Sequence, residues 1–252
     1  MIKAVLFDLD NTLTDFMKMK DGAIMAAIAA MVDMGLPLSS AEARRRIYEI
    51  YDREGIEYQR VFDQLLRDVY GRLRSEVLAA GITGYRRARE SQLVLYPHVH
   101  ATLVALLRQG IRLAVLSDAP SLQAWQRLHH LALQHMFEHV ITFDDTGEHK
   151  PSPAPFRRAM ELLGLPAPRL LMVGDWPARD MKGAAALGIR TAYARYGDTS
   201  GAECSGADFE IDDIAELLGI IHDINGQDAS GDDINGQDAG GDRPSPETEE
   251  AQ

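Results

Sequence analysis

The sequence predicts an α/β protein: a doubly wound, Rossmann-like parallel sheet with an all-helical segment inserted after its first strand. Three observations predict it. Short apolar, β-rich runs alternate with amphipathic stretches along most of the chain, and strands joined through helices pair in parallel with right-handed crossovers. Residues 16–92 break this rhythm, carrying helix-like segments and no convincing strand. Glycines stand where several helices should stop, at Gly110, Gly164, Gly188 and Gly219, since a left-handed residue closes a helix there at least steric cost.

The first strand is expected over 3–8, an apolar run ending in Asp8. Helices of the inserted segment follow at 23–34, 40–51, 58–80 and 84–91, and Tyr96-Pro97 marks the return to the sheet. Five further strands are expected at 112–117, 139–143, 170–174, 190–194 and 208–211. The helices between and after them are expected at 100–109, 122–131, 154–163, 178–187 and 214–218. Residues 1–15 and 93–222 therefore read as an α/β core domain, 16–92 as a helical domain, and 223–252 as a disordered acidic tail. Met17, Met19, Met25, Met31 and Met34 in the insertion are expected to be adaptable core packing. Asp15 is placed to cap the first inserted helix.

At 252 residues, 46% of them hydrophobic, the chain can bury one full α/β domain and a smaller one. One cysteine, Cys204, excludes an internal disulfide framework and fits a reducing compartment. The chain opens on a strand rather than a secretory signal. Its longest apolar run, 23–32, falls short of the ~20 residues of a membrane helix. The expectation is a soluble, cytoplasmic protein. Of the net charge of −12, residues from Asp223 onward carry −8, leaving a mildly acidic body at −4. No basic stripe supports nucleic-acid binding, and neither a nucleic-acid nor a membrane partner is expected. The tail repeats Asp-Ile-Asn-Gly-Gln-Asp from Asp223 and again from Asp233. The repeats hold too few apolar residues to offset the entropy of ordering them. They also lack the glycine position and closing glutamate of a calcium loop.

Ligands of an open parallel sheet bind at the carboxyl ends of the strands. The residues there are Asp8 and Asp10, then Ser117-Asp118, then His149-Lys150-Pro151, then Gly174-Asp175 with Asp180. Carboxylates so gathered repel one another. A hard divalent cation among them, and a phosphate between cation and lysine, would relieve that repulsion. Taken singly, each residue has a structural alternative: strand-end turn formers for the aspartates, a helix N-cap for Ser117, a solvated charge for Lys150. Those alternatives give no reason for the same order of groups to follow four apolar strands.

The pattern resembles the haloacid dehalogenase superfamily, in its phosphatase branch with a helical cap between the first two motifs. The clusters that carry the resemblance are Asp8-Leu-Asp10-Asn-Thr12-Leu, Leu116-Ser117-Asp118, His149-Lys150-Pro151-Ser-Pro and Val173-Gly-Asp175-Trp-Pro-Ala-Arg-Asp180, spread over residues 2 to about 220. The resemblance implies Mg²⁺ as cofactor and a small phosphorylated metabolite as substrate. It makes Asp8 the nucleophile that takes the phosphoryl group. Asp10 becomes the acid and base, with its backbone carbonyl reaching the metal, and Thr12 holds the Asp10 carboxyl. Ser117, Asp118, Thr12 and Lys150 are implied at the substrate, Lys150 also offsetting charge on Asp8. Asp8, Asp10 and Asp175 would hold the metal, with Asp180 bound through water or orienting Lys150.

Asp10 favours phosphate-ester cleavage over dehalogenation, because an alkoxide leaving group needs a proton and a halide does not. A phosphonate-cleaving branch would need an imine-forming lysine in the insertion, where only Lys18 and Lys20 stand. A phosphomutase would keep every motif, and a catalytically silent binding protein with the same fold is the alternative from another class. Lys18, Lys20 and Arg44-Arg45-Arg46 are candidate contacts for an acidic substrate, with a solvated helix face the preferred reading of the arginines. The substrate itself and the oligomeric state are not encoded in these motifs.

Overall fold

The computed structural model describes residues 1–199 and 201–232. Six parallel strands form one sheet in the order β3-β2-β1-β4-β5-β6: β1 (Ala4–Phe7), β2 (Arg112–Leu116), β3 (His139–Ile141), β4 (Leu170–Gly174), β5 (Arg190–Ala194) and β6 (Phe209–Ile211). All six expected strands are present, most trimmed by one or two residues at their ends. β1 is buried throughout because both sheet faces are covered. Val5 and Phe7 point into one apolar cluster with Leu103, Leu106 and Leu128, while Ala4 and Leu6 point into another with Phe156 and Ala159. A continuous apolar run is what such a strand requires.

The register aligns Phe7 with Val115 on one side and Val173 on the other. Asp8, the end of β2 and the end of β4 therefore emerge together at the carboxyl edge. The strand order reverses direction at β1, so this edge is the crevice where an open sheet accepts ligands.

Four helices occupy the insertion: α1 (Phe16–Asp33), α2 (Ser40–Glu54), α3 (Val61–Tyr70) and α4 (Ser75–Gln92). They share an apolar cluster that includes Ile24, Ile28, Ile47, Leu65 and Val77. Asp15 caps α1, accepting from the Lys18 amide at 3.3 Å. Gly84 lets α4 lie against the α1 backbone, since a Cβ there would sit 2.7 Å from the Ala26 carbonyl oxygen. The single helix expected over 58–80 is instead two. Gly71 takes a left-handed φ of 69° and ends α3, and the segment expected at 84–91 is the second half of α4. Core packing describes Met19 and Met31, which are buried, but not Met25 and Met34, which are exposed.

The remaining helices are α5 (Val99–Arg108), α6 (Ser121–His130), α7 (Phe143–Thr146), α8 (Pro153–Leu163), α9 (Lys182–Ala185) and α10 (Leu217–Asp232). The helix expected over 178–187 is a π-helical turn, Pro177–Met181, running into the short α9. At the C-terminus two expectations are corrected. Gly219 does not end a helix but lies inside α10. The onset of a disordered tail at 223 is also overturned: residues 223–232, the first copy of the repeat, are helical. Ile224 packs into the core at 7% exposure and Asn225 hydrogen-bonds the backbone of Ile2. Two side chains anchored this way hold the helix through the start of the first polar repeat. The second copy, from Asp233 on, lies outside the described residues. Among the described residues no helix is long and apolar enough to cross a membrane.

Candidate active site

The loop leaving β1 carries Asp8 through Thr14 and folds back on itself. The Leu13 amide donates to the Leu9 carbonyl at 3.0 Å, and the Asn11 amide to the Thr14 carbonyl at 2.7 Å. Asn11 has φ 60°, a conformation asparagine adopts more readily than most residues. Gly197, after β5, presses on this loop: a Cβ there would fall 1.6 Å from the Asn11 carbonyl oxygen. The turn that presents Asp8 and Asp10 is thus held from within and from behind.

Lys150 lies between α7 and α8, and its ammonium is the hub of the site. It donates to Asp8 Oδ1 at 2.6 Å and lies 2.7 Å from Asp180 Oδ1. The lysine is 4% exposed. Asp118 ties three loops together, its Oδ1 accepting from the Lys150 amide at 2.8 Å and its Oδ2 from Arg179 at 3.1 Å. Asp175 follows β4 and accepts from the Thr12 hydroxyl at 3.1 Å. The Trp176 amide donates to Asp180 Oδ2 at 3.1 Å. Ser117 is buried, its hydroxyl accepting from the Ala119 amide at 3.1 Å.

Carboxylate oxygens of Asp8, Asp175 and Asp180 lie within 4.8 Å of one another. Burial, together with repulsion from Asp8 and Asp180, pushes Asp175 up to about 9. Burial pushes Asp180 up to about 7 against the attraction of Lys150, and raises Asp8 likewise. Burial alone would lower Lys150, but Asp180 and Asp8 raise it, so it stays charged. One ammonium does not balance three buried carboxyl groups. Their all-oxygen donor set and their mutual repulsion fit a hard divalent cation.

Asp10 stands apart from that triad. Its Oδ2 accepts from Arg127 at 2.8 Å, and its Oδ1 is buried with no hydrogen-bond partner among the described residues. Burial raises its carboxyl to about 6, more than Arg127 lowers it. These groups open into a cavity of about 800 Å³, whose opposite wall comes from the insertion and includes Tyr48, Tyr51, Asp52, Glu54, Glu57 and Tyr58.

The fold brings together Asp8, Asp10, Ser117, Asp118, Lys150, Asp175 and Asp180, all on the cavity wall. Thr12 departs from expectation. It is fully buried, away from the cavity, and its hydroxyl serves Asp175 rather than the Asp10 carboxyl. The peptide turn between Asp10 and Thr12 points the hydroxyl toward β4. His149 does reach the cavity, stacked on Phe143 at 4.3 Å. Arg44, Arg45 and Arg46 form a surface ladder with Asp21, Glu42 and Glu49, the solvated face preferred from sequence. Lys18 is exposed and Lys20 is buried, and neither lines the cavity. Lys20 lies over the rings of Tyr51 and Tyr85 at 4.7 and 5.6 Å.

Sequence reasoning missed Arg127, which holds both Asp10 and Glu57. A signal was present: Ala124, Leu128 and Leu131 define the apolar stripe of α6, and position 127 falls inside it.

The family model for haloacid dehalogenase-like hydrolases matches residues 2–188. A glyceraldehyde 3-phosphate phosphatase of Methanothermobacter thermautotrophicus is 33% identical over 226 residues, spanning 88% of this chain and all of that protein. A phosphoglycolate phosphatase of Aliivibrio fischeri is 31% identical, spanning 87% and 96%. Among solved structures, a haloacid dehalogenase-type phosphatase from Thermococcus onnurineus superposes with a TM-score of 0.65 at 27% identity, covering 87% of this chain and 98% of that one.

Proposed function

The chain belongs to the haloacid dehalogenase-like hydrolase family and is a phosphatase; from that premise we propose that it is a Mg²⁺-dependent phosphomonoesterase working through a phosphoryl group on Asp8. The observation that carries this reading is Lys150 lodged between Asp8 and Asp180, with the ionisable groups of Asp175 and Asp10 on either side. Asp8, Asp175 and Asp180 would hold the cation, directly or through water. When bound, it would neutralise substrate phosphate oxygens beside the nucleophile.

Lys150 occupies Asp8 Oδ1, which leaves Oδ2 to attack phosphorus. The ester P–O bond breaks with its electron pair passing to the alcohol oxygen, which takes a proton from Asp10. Water then attacks the phosphorus and gives its proton to Asp10, and the bond to Asp8 breaks to release phosphate. The helices of 16–92 act as a cap over the phosphate.

The substrate is a small phosphorylated metabolite. Relatives are named for two kinds, one whose alcohol part is an uncharged triose and one whose alcohol part bears a carboxylate. Here the insertion presents Asp52, Glu54 and Glu57 among tyrosines, and none of its lysines or arginines lines the cavity. An acidic wall favours the uncharged alcohol, because a carboxylate held against Asp52, Glu54 and Glu57 would meet like charge.

Hydrolysis of p-nitrophenyl phosphate with and without Mg²⁺, in wild type and Asp8→Asn, tests the reaction. Turnover that ignores the metal or survives Asp8→Asn sinks it. A comparison of kcat/KM for glyceraldehyde 3-phosphate and phosphoglycolate tests the charge argument, which a preference for phosphoglycolate overturns. Scoring the same reactions for isomerised product separates a hydrolase from a mutase.

A further inference from the structure

We propose that Arg127 is a positioning residue that couples seating of the helical insertion to placement of the Asp10 carboxylate, with Glu57 as the group through which the insertion acts. This rests on the reading of Asp10 as the proton donor and acceptor. Arg127 projects from α6 and is 7% exposed, so its charge needs partners inside the protein. It has two, from different parts of the fold. One terminal nitrogen donates to Asp10 Oδ2 at 2.8 Å, on the loop after β1. The other donates to Glu57, in the connection between α2 and α3. The guanidinium lies over the ring of Phe16, the first residue of α1, at 4.3 Å.

A guanidinium is planar and its two terminal nitrogens are fixed relative to each other. Gripping Glu57 at one of them and stacking on Phe16 set the plane in which the other is offered to Asp10. Asp10 Oδ2 is thereby held, while Oδ1, buried and with no hydrogen-bond partner among the described residues, is the oxygen not committed to Arg127 and would serve the alcohol oxygen or the attacking water. If the insertion lifts, Glu57 and Phe16 leave together and nothing fixes that plane. Proton transfer would then be restricted to the closed arrangement, in which water is kept from the phosphoenzyme until the alcohol has left. A lysine carries the charge but cannot make both contacts in one plane.

The full chain with Mg²⁺ is assayed as wild type, Arg127→Lys, Arg127→Leu, Glu57→Gln and Arg127→Lys/Glu57→Gln. Alcohol release in a single turnover is measured for p-nitrophenyl phosphate, whose leaving group needs little protonation, and for glycerol 3-phosphate, whose leaving group needs it. Arg127→Leu leaves the half-buried Asp10 and Glu57 carboxylates without their shared partner; Glu57→Gln, which keeps the side chain's shape but removes the charge that grips the guanidinium, serves in its place where that variant does not fold. The expected result is a loss of about tenfold or more on glycerol 3-phosphate and under about threefold on the aryl ester, since misplacing a reacting group by an ångström costs up to ~100-fold. The double variant should be no worse than the poorer single one, because the two residues act as one unit.

A merely structural tie would lower the melting temperature and slow both esters alike. Equal losses on both, or multiplicative losses in the double variant, overturn the proposal. Wild-type enzyme that turns over neither ester overturns the phosphatase mechanism and this inference with it, an outcome distinct from any variant-specific loss.

Discussion

Replacing Asp10 by asparagine removes one ionisable group from the site while leaving an oxygen for Arg127 to bind, and its consequences can be worked from the geometry. Burial lifts the Asp10 carboxyl from 3.8 to about 6, a shift worth about 3 kcal/mol at 1.36 kcal/mol per unit. At neutral pH roughly one molecule in ten then carries the proton, against about one in a thousand for an unperturbed carboxyl. Asparagine abolishes that reservoir. Loss of a positioned general acid costs about 10²–10⁴-fold, so kcat/KM for an alkyl phosphate should fall by that factor. An aryl phosphate should behave differently. Its first turnover should persist, because nitrophenolate leaves without help, and then stall, because no base activates water against the phosphorylated Asp8. Stopped-flow release of nitrophenol should show a burst followed by almost no steady state, and intact-protein mass spectrometry should find one added phosphoryl group. Equal losses of the first turnover for both esters, or a variant that never accumulates phosphoenzyme, would refute the assignment of Asp10 as acid and base.

Three further outcomes follow from contacts described above. Lys20 is pushed down to about 8 by burial, more than Glu57 raises it. Its folded value lies below its unfolded one, so the unfolded chain binds more protons between about pH 8 and 10.5 and wild-type stability gains with pH there. Urea melts of wild type and Lys20→Met should therefore converge or cross in favour of wild type by about 3 kcal/mol between pH 7 and 10.5, and a pH-independent difference would contradict this. Gly197→Ala forces the Asn11 carbonyl to move, and kcat/KM should fall about 100-fold with circular dichroism unchanged; wild-type turnover would show the loop is not held from behind. Ending the chain after Ile221 removes Ile224 and Asn225 from their contacts with the core and with Ile2. It should cost about 3 kcal/mol and lower Tm by roughly 10 °C, whereas an unchanged Tm would mean α10 contributes nothing beyond Ile221.

The fold class was legible because its signals are local. An apolar run of four or five residues, as at Ala4–Phe7 or Leu170–Gly174, is too short for a helix and, set in a chain that alternates such runs with amphipathic stretches, reads as a buried parallel strand. Parallel strands in turn put their following residues at one edge, so Asp8, Ser117 and Asp175 could be read as neighbours before any distance was known. Where helices end was less legible. Gly71 ends α3 whereas Gly219 continues α10, and the difference lies in what the following residues reach: Ile224 finds a core and Asn225 finds the backbone of Ile2, just before β1.

The sequence by itself determined the sheet, the position of the insertion and the set of acidic and basic groups at the strand ends, since each follows from the order of residues along a few turns or strands. Only the tertiary structure decided which of those groups are partners. Thr12 serves Asp175 from 163 residues away, and Arg127 joins Asp10 and Glu57 across 117 and 70 residues. Lys20 turns from a candidate substrate contact into a buried cation over tyrosine rings. Pairing of buried charges depends on ångström distances and on exclusion of water, and both are properties of the packed molecule rather than of any segment of its chain.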